Sequence, residues 1–444
     1  MTLKPVLIST IALTAAAMMQ SCGGSASKVD DNRLLADEIL ADSTLDEVDS
    51  MARAILKGSL NAGSGYSQVW IRDMNTFINT ACEVNDPSDI REALMLFLKL
   101  QQPNGEIVDG YVLKEQFDWE ENRLYDSPYA PGHVGFKNTV ETDQETSFIQ
   151  AICKYADKTG DKAVFTDTVA GKTVNEHIAD MIGFLLKERY NEQYGLLYGA
   201  LTADWGDVQP DSTNLVDFTE NSTRTIDAYD NAMLVIALDR LAKSNPEMPQ
   251  LGKYTELRDS IAARTRRYLW DDANNKIIPH VYIDPSPVPA DFDESKVHYH
   301  GGTAIAIEAG LLEPDEIETV NAQMLENVRL SGMKSIGLTM YPTYPEGFFP
   351  GGMAKPYIYQ NGGDWTWFGG RMIQQLVANG MVREAYDEIR PMIDRVLKNK
   401  GFYEWYGQGE VPSGSGHFKG SAGVLSEAIE MLRRWAQQNG SELK

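Results

Sequence analysis

A helical period that returns about twelve times along the chain constrains its fold more than any other feature. Between residues 49 and 438, apolar side chains recur at three- and four-residue spacing, with glycine or proline between segments. Strand-like stretches are short, as over residues 277–283. Because no linker-like stretch interrupts the series, we predict one all-α domain of six helical hairpins. The segments begin near Ser50, Val69, Ser88, Asp143, Thr173, Thr225, Lys253, Gly301, Glu313, Gly362, Val382 and Gly420.

Two kinds of helical segment predict two layers of helices. The segment that begins near Gly362 is apolar, rich in aromatic residues and poor in charge, as expected for a helix packed on both sides. Residues 382–390 carry many charges and predict a helix with one face in water. We therefore expect an inner and an outer ring that close into a barrel. Residues 188–197 and 267–278 share a pattern that predicts a helix end followed by a short hairpin.

The first 21 residues have the pattern of an export signal. Lys4 precedes an apolar run from Val6 to Met19, and Ser21 stands before Cys22. The run is too short for a comfortable membrane span. The segment resembles a bacterial lipoprotein signal, which implies that Cys22 is lipidated and anchors the protein to a membrane of the cell envelope, in the periplasm or at the outer membrane. An ordinary secretory signal is the alternative.

Residues 22–48 are rich in Gly, Ser and Asp, and this composition predicts a flexible tether between the anchor and the folded domain. The domain itself is expected to span residues 49–438. Besides Cys22 the chain has Cys82 and Cys153, both on apolar-periodic segments, and we expect buried thiols rather than a disulfide.

The charge balance excludes some classes of partner. The formal net charge is −24, which argues against a nucleic acid because phosphate binding relies on clustered lysine and arginine. The same balance disfavours a polyanionic glycan, so neutral saccharides fit best. None of the six histidines forms a helical pair with an intervening acid, and we predict neither a metal site nor a cofactor.

A run of carboxylates marks the start of one helix. Glu141, Asp143 and Glu145 stand where a polar loop meets an apolar-periodic segment that begins near Phe148. Acidic side chains at a helix start often serve as caps, because they accept free backbone N–H groups and complement the helix dipole. The alternative is a cluster of acids that performs chemistry.

Acids also recur beside aromatic residues elsewhere in the chain. Such clusters occupy residues 70–73, 204–207 and 359–367, and a glutamate stands near aromatic residues at Glu346 and at Glu404. Flat apolar faces suit the C–H surfaces of sugars, carboxylates bind hydroxyls, and two carboxyl groups are needed to cleave a glycosidic bond. The candidate substrate-binding residues are Trp70, Arg72, Asp73, Glu141, Trp205, Asp207, Asn361, Asp364 and Trp365.

Three motifs in order resemble those of a known group of enzymes. They are residues 69–73, then Asp143 before a helix that ends at residues 158–161, then residues 359–363. The set resembles the six-hairpin, (α/α)6-barrel glycosidases, with the alkaline/neutral invertases closest and the glucoamylases more distant. The resemblance implies an (α/α)6 barrel, a sugar pocket at one end of the inner ring, and inversion of the anomeric configuration by two carboxyl groups.

Carried onto this chain, the resemblance assigns roles to four acids. Asp143 matches the general acid of invertases, and Glu141 is its competitor in the glucoamylase register. Glu346 matches the general base of invertases, whereas Glu404 matches that of glucoamylases. An inverting pair leaves room for a water molecule, with carboxyl groups roughly 6.5–9.5 Å apart.

We therefore expect a glycoside hydrolase that cleaves a neutral oligosaccharide by an inverting two-carboxylate mechanism, with the catalytic domain over residues 49–438. Two alternatives remain open at the level of the sequence. One is a non-hydrolytic enzyme on the same barrel, such as an epimerase, a phosphorylase or a lyase. The other is a non-catalytic glycan-binding lipoprotein, which would keep the aromatic residues without needing a convergent pair of acids.

Overall fold

The computed structural model describes residues 30–117 and 124–441. The predicted signal, Cys22 and residues 22–29 of the predicted tether lie outside these residues. Within the described ranges the chain forms thirteen α-helices. They are α1 (30–41), α2 (Ser43–Leu56), α3 (Ile71–Val84), α4 (Pro87–Lys99), α5 (Gln144–Thr159), α6 (Val174–Glu188), α7 (Ala228–Ser244), α8 (Leu251–Leu269), α9 (His300–Glu308), α10 (Pro314–Ser331), α11 (Thr366–Ala378), α12 (Val382–Asn399) and α13 (Lys419–Asn439).

Six of these helices form a closed inner ring. Helix α3 contacts α5, and the contacts continue through α7, α9 and α11 to α13, which returns to α3. The even-numbered helices from α2 to α12 lie outside, so the chain alternates between the two rings. This is the predicted (α/α)6 barrel. Helices α2–α13 correspond to the twelve segments expected from the sequence, and α11 and α12 lie in the predicted inner and outer rings.

Burial explains the division into two rings. Helix α9 is buried at every position from His300 to Ile307, whereas α8 buries only Ile261, Thr265 and Leu269. An inner helix packs on both sides and tolerates few exposed charges, and an outer helix needs a single apolar stripe. The distribution of apolar residues along a segment therefore predicts whether its helix lies in the inner or the outer ring.

The structure corrects the predicted tether. Residues 30–41 are helical, and Leu35, Ala36 and Ile39 are buried. Arg433 of α13 donates a hydrogen bond to the carbonyl oxygen of Ile39 at 2.5 Å. Helix α2 then begins at Ser43, and the Asp42 carboxylate caps it by accepting from the backbone N–H of Thr44 at 3.0 Å. Residues 30–48 are therefore not a flexible tether, because their apolar residues pack against the barrel.

The strands are short and antiparallel. Two hairpins, β7–β8 and β11–β12, follow helix ends where the shared sequence pattern predicted them. The strands are β1 (Val69–Trp70), β2 (Gly110–Leu113), β3 (Leu124–Tyr125), β4 (His133–Phe136), β5 (Thr168–Val169), β6 (Lys172–Thr173), β7 (Tyr190–Asn191), β8 (Leu196–Leu197), β9 (Gly199–Ala200), β10 (Arg224–Ile226), β11 (Trp270–Asp271), β12 (Lys276–Ile277), β13 (Val281–Tyr282), β14 (His298–Tyr299), β15 (Met340–Tyr341), β16 (Tyr403–Gly407) and β17 (Val411–Gly416).

Several of these strands lead directly into inner helices. Strand β1 runs into α3, β10 precedes α7, β14 runs into α9, and β17 precedes α13. Because the chain alternates between the rings, the six inner helices run in the same direction and their N-terminal ends meet at one end of the barrel. The strands and loops that precede these ends therefore meet there as well.

The cysteines agree with the sequence prediction. Cys153 is buried, Cys82 is half-buried, and neither forms a disulfide. Among the helices of residues 30–117 and 124–441, none has both the length and the apolar character needed to cross a membrane.

Candidate active site

A cavity of about 310 Å³ opens where the N-terminal ends of the inner helices meet. Aromatic rings and carboxyl groups dominate its walls, and they come from segments far apart in the sequence. The lining residues are Tyr66, Trp70, Arg72, Asp73, Asp109, Phe136, Lys137, Asn138, Glu141, Trp205, Asp207, Val216, Tyr359, Gln360, Trp365, Trp367, Glu404 and Phe418.

The structure brings together most of the residues that the sequence singled out. The predicted residues that line the cavity are Trp70, Arg72, Asp73, Glu141, Trp205, Asp207, Trp365 and Glu404. Four predicted residues, Asp143, Glu346, Asn361 and Asp364, are not part of the lining.

The guanidinium group of Arg72 is the electrostatic centre of the site. Its Nε and Nη2 atoms donate to the two carboxylate oxygens of Asp143 at 2.7 and 2.9 Å. Nη1 lies 2.8 Å from Asp207, and Nη2 lies 2.5 Å from Glu141. Burial opposes the charge of Arg72, but the carboxylates of Asp143 and Glu141 raise its pKa well above the ordinary value. One cation thus faces three carboxyl groups.

Asp143 lies behind Arg72 and does not face the cavity. Its Oδ2 atom also accepts a hydrogen bond from the Tyr229 hydroxyl at 2.7 Å, and the side chain is buried. Both oxygens of Asp143 are thus engaged by Arg72 and Tyr229, which fix the position of the carboxylate. Asp143 is not among the residues that line the cavity, and its role as the general acid stays a prediction.

Glu141 and Asp207 form a carboxyl pair that shares a hydrogen bond. Burial raises the pKa of Glu141 well above its ordinary value, and the charge of Asp207 raises it further. Burial also acts on Asp207, but hydrogen bonds to Glu141, Arg72 and Tyr359 overcome it and lower the pKa of Asp207. The opposite pKa shifts favour a proton on Glu141 over one on Asp207. Asp207 is the more exposed member of the pair, with 26% of its side chain accessible against 4% for Glu141.

The loop that carries Asp207 is fixed by hydrogen bonds at several points. The Asp204 carboxylate accepts from the backbone N–H of Gly302 at 2.8 Å, which ties the loop to the start of α9. The backbone N–H of Asp207 donates to Gln360 at 3.0 Å, and its carbonyl oxygen accepts from Asn138 at 2.8 Å. The Tyr359 hydroxyl donates to the Asp207 carboxylate at 2.6 Å. This long polar loop is thus an ordered wall of the cavity.

Glu404 enters the cavity from strand β16. The hydroxyl of Tyr66 donates to its two carboxylate oxygens at 3.1 and 3.0 Å, and the backbone N–H of Ser415 in β17 donates at 2.8 Å. Burial raises the pKa of Glu404, as does the nearby charge of Asp207, and the donors of Ser415 and Tyr66 act in the opposite direction. Glu404 is thus a basic carboxylate held in place by two donors.

Glu346 and Asn361 are not among the residues that line the cavity. Glu346 is exposed in a turn after β15. The next residue, Gly347, has a φ of 82°, a left-handed conformation that suits a turn. The carboxyl group of Glu346 is therefore turned to solvent, outside the cavity. The Asn361 side chain bonds to the backbone N–H and carbonyl of Tyr344 at 2.9 and 3.2 Å, so it serves the fold.

Asp364 is a structural residue rather than a lining residue. Its carboxylate accepts from the backbone N–H of Ser335 at 3.0 Å and from the buried Arg395 at 2.9 Å. Its backbone pairs with that of Tyr406 in β16 through two hydrogen bonds of 2.9 Å. Asp364 therefore holds the strand on which Glu404 lies, and its polar side chain is buried because it has these partners.

Two groups of packed aromatic rings line the cavity. The ring centroid of Trp205 lies 3.8 Å from that of Phe368 and 5.6 Å from that of Trp365. The ring centroid of Trp367 lies 5.7 Å from that of Trp205. On the other side, Trp70 packs against Phe136 at 4.9 Å. These rings are mostly buried and present an apolar surface of the kind that suits the C–H face of a sugar.

Sequence reasoning missed several lining residues. Tyr359, Gln360 and Trp367 belong to the aromatic cluster at residues 359–367, and Tyr66 precedes the motif at residues 69–73 by three positions. Asp109 stands alone between apolar residues and a glycine, with no motif around it. The remaining lining residues that were not predicted are Phe136, Lys137, Asn138, Val216 and Phe418.

A comparison with solved structures finds the same fold in glycosidases. A GH63 mannosylglycerate hydrolase from Thermus thermophilus, in complex with glucose, aligns with 87% of this chain and 99% of its own, with a TM-score of 0.60 and 12% identity. A GH78 rhamnosidase of Bacillus sp. GL1 aligns with 86% of this chain and 34% of its own, with a TM-score of 0.56 and 15% identity. A rhamnosidase from Klebsiella oxytoca with rhamnose bound aligns with 88% of this chain and 64% of its own, with a TM-score of 0.56 and 14% identity.

These similarities show that the chain shares its fold with those solved structures. No protein-family model matches the chain, and no curated sequence matches it. At such low identity the likeness concerns the fold alone, and a fold can host several activities. The narrower resemblance to invertases and glucoamylases stays a prediction.

The structural role of Asp364 leads to a stability prediction. Asp364→Asn should lower the free energy of unfolding by about 3–5 kcal/mol, because it leaves the buried Arg395 without its counter-charge. Urea denaturation followed by circular dichroism measures the change. Asp291→Asn, in an exposed turn, serves as the matched control and should stay within about 0.5 kcal/mol of the wild type. Equal stability of the two variants would contradict this role.

Proposed function

We propose that the chain is a glycoside hydrolase that cleaves a neutral saccharide with inversion, using Asp207 as the general acid and Glu404 as the general base. The observation that carries the proposal is that these two carboxyl groups, from segments nearly two hundred residues apart, line one aromatic-walled cavity. Cleavage of a glycosidic bond needs one protonated and one ionised carboxyl group on either side of it.

The proton for the leaving group comes from the Glu141–Asp207 pair. Glu141 is buried and holds the shared proton at rest, and Asp207 is the member that reaches the cavity. When the glycosidic oxygen gains negative charge, the proton moves across the hydrogen bond to Asp207 and from there to that oxygen. Arg72 then stabilises the carboxylates that remain.

Glu404 is the better candidate for the base. Its oxygens accept hydrogen bonds from Tyr66 and Ser415, which favour the ionised form. Burial raises the pKa of Glu404, and a more basic carboxylate takes a proton from water more readily. The attacking water would lie between Glu404 and the anomeric carbon, on the face opposite the leaving group.

The charges of the lining favour a neutral substrate. Among the described residues, the cations that line the cavity are Arg72 and Lys137. Arg72 is occupied by three carboxyl groups, and the ammonium group of Lys137 lies 2.7 Å from Glu145. A sugar acid or sugar phosphate would therefore meet carboxylates without a free cation, which is unfavourable in a buried site. Trp205 and Trp365 contribute the apolar wall, and Asp73 faces the sugar hydroxyls.

The cellular place of this activity is also a proposal. The signal pattern and Cys22 support export and attachment to a membrane of the cell envelope through a lipid. A site built for saccharides fits a protein that handles glycans in that compartment.

The assigned roles predict two distinguishable losses of activity. Asp207→Asn and Glu404→Gln should each lower kcat by about 10²–10⁴ on unactivated glycosides. With a 4-nitrophenyl glycoside the loss in Asp207→Asn should be much smaller, because that leaving group needs little protonation, whereas Glu404→Gln should stay equally slow. Kinetic assays of both variants against both kinds of glycoside make the comparison.

Glu247→Gln is the matched control for these assays, because Glu247 is exposed and far along the chain from the lining residues. It should keep the wild-type rate. Wild-type rates in Asp207→Asn or in Glu404→Gln would refute the corresponding role, and equal loss of both activities in Asp207→Asn would argue against its role as the acid.

The hydrogen bond from Tyr66 predicts a change in pH dependence. The base must be ionised, so activity falls as the pH drops through the pKa of Glu404. The Tyr66 hydroxyl lowers that pKa, and Tyr66→Phe removes the donor. The acidic limb of the kcat/KM profile should therefore move to higher pH. An acidic limb that stays in place or moves to lower pH would show that Glu404 is not the ionised group.

A further inference from the structure

Asp109 has a fixed position in the wall of the cavity. Its backbone N–H donates to the carbonyl oxygen of Phe136 at 2.9 Å, and its own carbonyl oxygen accepts from the backbone N–H of Ile71 at 2.9 Å. The segment is thus held between β4 and the start of α3. The next residue, Gly110, is in close contact with Trp70 and Phe136, since a Cβ atom there would lie 3.0 Å from each ring. The backbone at this point therefore has little room to shift.

The carboxyl group of Asp109 lines the cavity without a protein partner. Only 5% of the residue is exposed, yet no hydrogen bond or ion pair joins its side chain to another residue of the described ranges. Asp73 is half-buried, and its carboxyl group likewise has no hydrogen-bond or ion-pair partner within the described ranges. In contrast, Glu141, Asp207 and Glu404 all have partners. A buried polar group without a partner is costly, and a structural role would supply one.

The protonation of these two carboxyl groups suits sugar hydroxyls. Burial raises the pKa of Asp109 to about 7, and the charges of Asp143 and Asp207 contribute to the shift. Burial raises the pKa of Asp73 well above its ordinary value. A protonated carboxyl group donates one hydrogen bond and accepts others, as does a sugar hydroxyl. Neither group repels the developing charge on a neighbouring carboxylate while it stays protonated.

We propose that Asp109 is a specificity-determining residue that, beside Asp73, binds hydroxyl groups of the sugar ring in the cavity. The proposal rests on the proposed function and deepens it, because it names the residue that distinguishes one hydroxyl configuration from another. Asp207 and Glu404 act on the glycosidic bond, whereas Asp109 recognises the ring. A site built to bond a hydroxyl discriminates strongly against a sugar that lacks it, since its own buried group is then left unpaired.

The test measures sugar binding by the full chain with isothermal titration calorimetry. D-Glucose, D-mannose, D-galactose and L-rhamnose are titrated first, followed by the monodeoxy analogues of the sugar that binds best. Asp109→Ala and the isosteric Asp109→Asn are compared with the wild type and with Asp291→Ala as the matched surface control. Thermal unfolding confirms that each variant is folded, and Asp109→Asn serves if Asp109→Ala does not fold.

The wild type should bind one configuration best, and both Asp109 variants should weaken that binding about tenfold. One deoxy analogue, lacking the hydroxyl that Asp109 binds, should bind to the wild type and to the variants with equal affinity. Asp291→Ala should match the wild type throughout. Equal weakening of every sugar and deoxy analogue, or no weakening at all, would overturn the role of Asp109 and leave the hydrolase proposal standing. A wild type that binds none of the sugars would overturn both.

Discussion

The site depends on one buried cation that faces three carboxyl groups. Arg72 bonds to Glu141, Asp143 and Asp207, and these come from two segments that lie well apart in the sequence. Two anions in excess of one cation cannot both persist in a buried site, so a proton is retained there. Asp143 accepts hydrogen bonds from Arg72 and Tyr229, and of the other two acids Glu141 has the raised pKa. In the proposed mechanism, this proton is the one that passes to the leaving group.

The common direction of the six inner helices brings these side chains together. All six inner helices begin at the same end, so the loops that precede them meet around one cavity without a second domain. The outer ring also contributes at a distance. Arg395 of α12 fixes Asp364, whose backbone pairs with β16 beside Glu404. The positions of the two proposed catalytic groups are therefore set by packing far from the reacting atoms, as preorganised sites require.

The sequence predicted the helices well because their period is a local property, repeated with glycine and proline between segments. It also identified a set of acids and aromatic residues of which most line the cavity. It could not tell which acid in a run faces the cavity. Glu141, Asp143 and Glu145 are spaced two residues apart, yet their surroundings differ. Glu141 lines the cavity and pairs with Arg72, Asp143 pairs with Arg72 outside the lining, and Glu145 pairs with Lys137. Those partners are distant in sequence, so only the tertiary structure decides.

Composition also misled at two places. Residues 30–48 are polar overall, but a few apolar residues at helical spacing suffice to pack α1 and α2 on the barrel. Asp364 and Asn361 stand in an aromatic motif typical of a sugar site, yet their side chains accept hydrogen bonds from the backbone N–H groups of Ser335 and Tyr344. A buried polar side chain serves the fold or a ligand, and the sequence does not show which partners it has.

The most direct test of the account is the stereochemistry of the first product. The wild-type chain is incubated with a panel of α- and β-linked neutral disaccharides, and the anomer that forms first is followed by proton NMR. The account predicts release of a sugar with the configuration opposite to that of the bond cleaved. A product that retains the configuration would contradict the inverting pair of Asp207 and Glu404, and the absence of cleavage across the panel would contradict the proposed hydrolase.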